Sequence, residues 1–229
     1  MNNVLFAALL VACSAPPPPP KAPKAPAEER FDFKVRGDFF DGLGGDTAAL
    51  DRAMKVCDDT LAKNPKHAEA LVWHGAGTMA RARFAFQGGD SQKGMQLYTR
   101  GLDEMARAVA LAPRSVAVRI PRGAVLLNMA PHLPEPERTK LLEAGLDDYE
   151  VTLAVQQPRF ATLSLHAREQ LLYGLTDGYA NLGDGAKAKA FYDRMVVDAG
   201  DSELLARAKA RAAGETPDGP APCAQCHAR

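Results

Sequence analysis

The strongest constraint on this chain is a helical rhythm cut by helix-stopping dipeptides. From Asp46 onward, apolar and alanine residues recur at spacings of three and four, the period of one face of an α-helix. Asn64-Pro65, Ala112-Pro113 and Gln157-Pro158 interrupt it, because the residue before a proline avoids the helical region. Gly183-Asp184 and Gly200-Asp201 mark short turns. The spacing predicts helices over about 46–63, 67–86, 92–112, 115–129, 136–155, 160–182, 185–198 and 202–213. No segment sustains strand alternation, so the expected fold is all-α.

The rhythm also repeats at a larger scale. Ala53-x3-Cys57-x3-Leu61-x3-Pro65 returns as Gly101-x3-Met105-x2-Ala108-x4-Pro113, and loosely as Ala188-x2-Phe191. Helices rich in small residues alternate with these: Ala68-Glu69-Ala70-Leu71-x3-Gly75, Val116-x6-Gly123 and Leu172-x6-Tyr179-x2-Leu182-Gly183. Over about residues 46–199 this resembles the tetratricopeptide repeat, a helix-turn-helix unit of about 34 residues. The span from Ala68 to Pro113 runs about a dozen residues longer, with the surplus around Arg83 to Gly94, which lengthens both helices or forms a loop. The resemblance implies a right-handed stack of three to four degenerate pairs, since one pair cannot bury its apolar face alone. Gly75, Gly123 and Ala108 then read as packing residues, and Cys57 as a buried, inert thiol.

In that family the inward positions of each pair's first helix contact peptides. Carried over, these are Glu69, Val72 and Ala76, then Ile120, Ala124 and Asn128, then Tyr173, Asp177 and Asn181. Arg119 and Arg122 add a local positive pair suited to an acidic group. Asp58-Asp59 and Asp147-Asp148 are adjacent on helices, splayed about 100° apart, and read as solvated faces. His67, His74, His132 and His166 show no ligand spacing and read as structural or surface histidines. No phosphate loop or nucleophile elbow occurs, so no catalytic residue is assigned. Lys plus Arg (28) balances Asp plus Glu (28), which gives no basic excess for nucleic acid.

The two termini carry different signals. Val4 to Ala12 is an apolar run too short to span a bilayer, and it ends at Cys13. Leu10-Val11-Ala12-Cys13 resembles the lipobox of bacterial lipoproteins, although Met1-Asn2-Asn3 lacks the usual basic residue. That resemblance implies a signal peptide over 1–12, a diacylglycerol on Cys13, and export to the periplasmic face of the envelope. Ser14 resembles the outer-membrane sorting choice. Pro16 to Pro20 and the Lys-Ala-Pro pairs after them give residues 13–30 the character of an extended spacer, about 50 Å long at about 3.1 Å per residue. A helical domain follows over 31–213.

Residues 214–229 form a proline-bearing tail ending in Cys223-Ala224-Gln225-Cys226-His227-Ala228-Arg229. Cys-x-x-Cys-His is the spacing of covalent haem c attachment, with the histidine as an iron ligand. Cys223, Cys226 and His227 leave open, after haem, a metal short of a fourth ligand, a disulfide, or no chemistry. A haem would need a sixth ligand from elsewhere, such as His74, His166 or Met195. Three functions follow as expectations: a lipid-anchored scaffold for protein or peptide partners, a c-type haem electron-transfer protein, or a periplasmic accessory to a solute transporter.

Overall fold

The computed structural model describes residues 30–198 and 202–217. Among them the backbone is helical and contains no strand. The elements are α1 (Phe31–Leu43), α2 (Thr47–Lys63), α3 (Ala68–Gln87), α4 (Ser91–Leu111) and α5 (Val116–Met129). They continue as α6 (Glu137–Gln156), α7 (Leu165–Leu182), α8 (Gly185–Asp198) and α9 (Glu203–Ala212).

The boundaries follow from short-range chemistry. Asp46, Asp90, Ser164 and Ser202 each accept a hydrogen bond from the backbone N–H three residues on, satisfying donors that a helix start leaves open. His67 does the same for α3, its Nδ1 accepting from Ala70 N at 3.1 Å. Asn64 and Ala112 leave the helical region before their prolines. Gly183 ends α7 in the left-handed conformation at φ +87°, where a side chain would be strained.

Two expectations need correction. α1 was not anticipated as a helix. Its residues Phe31, Val35 and Phe39 are spaced by four and all buried, giving it the apolar stripe of a packed helix. The helix expected over 160–182 is broken: a 3-10 turn covers Gln157–Thr162, and α7 starts only after its cap, Ser164. The surplus between Arg83 and Gly94 lengthens both α3 and α4, which meet at a turn where Gly89 has φ +82°.

The helices pair as α1/α2, α3/α4, α5/α6 and α7/α8, and α9 closes the row against α7 and α8. The first helices of successive pairs also touch, α1 to α3 and α3 to α5. The fold is therefore a stack of four tetratricopeptide-like pairs and a closing helix. One apolar core runs its length, from Phe31 to Ala208. Each large side chain buried in it contributes about 1.5–3 kcal/mol.

Glycines set the closest crossings. A methyl group on Gly75 would lie 2.9 Å from Gly101 O and 2.7 Å from Met105 Cγ, so α3 and α4 touch backbone to backbone. In the next pair, one on Gly123 would meet the Tyr149 ring at 2.7 Å. Ala108 and Cys57 are completely buried.

Candidate functional site

The three inward sets fare differently. α3 is surrounded by α1, α2, α4 and α5, so Val72 and Ala76 are core residues and cannot touch a ligand; Glu69 is half-buried. On α5, Ile120 is 39% exposed, Ala124 is half-buried, and Asn128 is exposed. The Asn128 amide donates to Ala124 O at 2.7 Å, within its own helix. On α7, Tyr173 is buried, and Asp177 and Asn181 are half-buried and engaged by α9.

That α7–α9 contact is dense in polar groups. Arg211 Nε lies 2.6 Å from Asp177 Oδ1, an ion pair not aligned as a hydrogen bond. Arg211 Nη2 donates to Asn181 Oδ1, and Asn181 Nδ2 donates to Asp177 Oδ2 at 3.0 Å. Arg138 of α6 donates to Asn181 O at 2.6 Å. Arg211 Nη1 also reaches Glu215 O at 3.1 Å, fixing the chain just beyond α9. Burial raises the Tyr173 hydroxyl above its ordinary pKa and Asp177 adds to this, while a hydrogen bond with Arg207 opposes it. Glu169, one turn earlier on the same face, is 7% exposed, and its Oε1 has no hydrogen-bond partner among the described residues.

A second polar cluster ties α2, α3 and α4 together. His74 is buried, with Nδ1 2.7 Å from Glu104 Oε2 and Nε2 3.2 Å from Asp58 Oδ1. Arg100 Nε donates to Glu104 Oε1 at 2.8 Å. Burial works to raise Glu104, but the bonds from His74 and Arg100 outweigh it and hold the carboxyl below its ordinary range. Beside this cluster, burial and then the charges of Asp58 and Glu104 push the Cys57 thiol up to about 12. The thiolate, which is the reactive form, is thereby suppressed.

The third cluster corrects the reading of Asp148 as solvated, while its neighbour Asp147 is exposed as expected. Asp148 is fully buried between α5 and α6. Its Oδ1 accepts from Arg119 Nη1 at 2.9 Å and Arg122 Nη2 at 2.8 Å, and its Oδ2 from Arg122 Nε at 2.6 Å. Arg119 also meets Asp147 at 2.5 Å. The acidic group expected to meet Arg119 and Arg122 is thus internal. Sequence reasoning missed the pairings His74–Glu104, Arg122–Asp148 and Arg211–Asp177, which join residues 26 to 34 positions apart.

Open surface remains on α4, where Gln92, Met95, Gln96, Thr99, Arg100 and Asp103 line a shallow depression and Met95 is 56% exposed. Among the described residues no group of His, Cys, Asp or Glu is arranged to hold a metal, and no helix is long and apolar enough to cross a membrane. Of the suggested sixth haem ligands, Met195 is completely buried, His74 has both ring nitrogens occupied, and His166 Nε2 lies 2.7 Å from Gln170 Nε2. Cys13, Cys223, Cys226 and His227, with Gly200-Asp201, lie outside the described residues. Comparison of the chain with protein-family models, with curated proteins and with solved structures finds no match in any of the three.

Proposed function

We propose that this chain is a non-enzymatic, lipid-anchored scaffold that holds protein partners in the bacterial cell envelope. The observation that carries the reading is the stack of helical pairs. Its internal charges join one helix to the next, as in Arg122–Asp148 and His74–Glu104, while surface on α4 and α5 stays open over several turns. Extended rows of helical pairs present such faces to partners. Leu10-Val11-Ala12-Cys13 and the proline spacer support the anchor.

The test is paired. Wild-type chain should sediment with membranes and Cys13→Ser should not. A photo-crosslinker at Ile120 should give a discrete protein adduct in cells. A soluble wild type removes the anchor, and the absence of any adduct at Ile120 or Met95 removes the scaffold.

Cys223-Ala224-Gln225-Cys226-His227 favours a second reading, a covalently bound haem c carried on the scaffold's tail. Haem staining after denaturing electrophoresis, in cells with a haem maturation system, tests it. Stain lost in Cys223→Ala/Cys226→Ala supports it, and an unstained wild type ends it.

A further inference from the structure

We propose that α9 is a releasable latch lying in a docking face of α7, and that this face fits a partner helix with basic residues on three successive turns. The inference rests on the scaffold reading, whose partner it specifies by chemistry.

Glu169, Tyr173, Asp177 and Asn181 recur every four residues and so form one polar column along α7. α9 brings basic residues to it at the same spacing. Arg207 pairs with Tyr173, and Arg211 pairs with Asp177 and Asn181. In this register position 203 of α9 stands level with Glu169. The residue there is Glu203, a second carboxylate, and it is exposed. Glu169 is at the same time more than nine-tenths buried, with Oε1 unpartnered among the described residues. A buried carboxylate oxygen without a donor has given up its bonds to water and gained none in return. α9 therefore answers two turns of the column and leaves the third with the wrong sign.

α9 is also lightly held. It has ten residues, too few for a stable isolated helix, and its deeply buried apolar side chains are only Leu204 and Ala208. Leu205 packs beside them part-buried, and the polar hold of α9 on the column is through Arg207 and Arg211, which a competing helix can supply. A basic residue at the position of Glu203 would add the missing donor to Glu169. Arginine is suited to all three turns, since its fork matches carboxylate geometry.

The test uses the full chain and two labelled peptides spanning residues 202–213, one of native sequence and one carrying Glu203→Arg. Binding is read by fluorescence anisotropy. The variant Arg207→Ala/Arg211→Ala, with its latch weakened, should bind the Glu203→Arg peptide about tenfold more tightly than wild type does, because the competing intramolecular helix is weakened. The same variant should prefer that peptide over the native one by about tenfold, and Glu169→Gln should erase the preference. Equal binding of both peptides, or a preference that survives Glu169→Gln, overturns the proposal. If the double variant does not fold, hydrogen exchange on wild type decides instead. Amides of α9 should exchange faster than those of α7 and α8, and a single shared opening overturns the latch. Neither readout depends on membrane sedimentation or on the Ile120 adduct, so the scaffold can stand if the latch falls.

Discussion

The imidazole of His74 and the carboxylate of Glu104 meet at 2.7 Å inside the molecule, fastening α3 to α4 one turn from where Gly75 and Gly101 bring the two backbones together. Removing one partner of a buried pair leaves an uncompensated charge. Glu104→Ala should therefore lose about 3–5 kcal/mol of unfolding free energy by chemical denaturation.

The same pair fixes a pH dependence. Glu104 has a lowered pKa, so the folded state favours its anion. Its contribution is complete above the ordinary value of 4.5 and is lost as pH falls through the lower folded value. Wild type and Glu104→Gln should differ in stability at pH 7, and the gap should close as pH falls below about 4. A gap that widens in acid reverses the sign and refutes the account.

Two glycine substitutions should move stability in opposite directions. Gly75→Ala forces a methyl group against Gly101 O at 2.9 Å, and a backbone atom cannot swing aside, so a loss of about 1–3 kcal/mol is expected. Gly37→Ala, on the exposed side of α1 with nothing within 4 Å, should gain about 0.5–1 kcal/mol. Thermal unfolding of the two variants tests the ordering.

Phe39 measures how far α1 belongs to the core. It is 2% exposed, its ring centroid lies 5.0 Å from that of Trp73, and a methyl group on Gly77 would touch it at 3.0 Å. Phe39→Ala should cost about 3–5 kcal/mol. A cost under about 1 kcal/mol would mean that α1 is an appendage.

Cys57 should resist alkylation at pH 8 in the folded chain and react readily in denaturant, as followed by mass spectrometry of the peptide that carries it. Burial and the pKa of about 12 both act in that direction. Fast labelling of the native protein would refute it.

The sequence showed those features that depend on near neighbours. Asn64-Pro65 and Ala112-Pro113 stop helices through local sterics, and Gly75, Gly123 and Ala108 read as packing residues because small residues recur on one face. It hid α1, whose Phe31-Val35-Phe39 stripe becomes an apolar face only when α2 and α3 are there to cover it. Asp147 and Asp148 look alike in sequence, yet the turn of about 100° between them puts one side chain at the surface and the other between two arginines. Tyr173 reads from the resemblance as a ligand-facing position because nothing local announces that α9 returns over it. The tail motif was legible as chemistry but lies outside the described residues.

The tight crossing of α3 on α4 has a mechanical consequence. Two helices whose backbones meet at Gly75 and Gly101 leave no side-chain padding to shear, so that pair moves as a stiff beam. The following seam is built differently: α3 packs well on α5, whereas α4 touches it little. A joint closed along one edge opens along the other. Bending of the row should therefore concentrate between the second and third pairs, swinging α1–α4 against α5–α9.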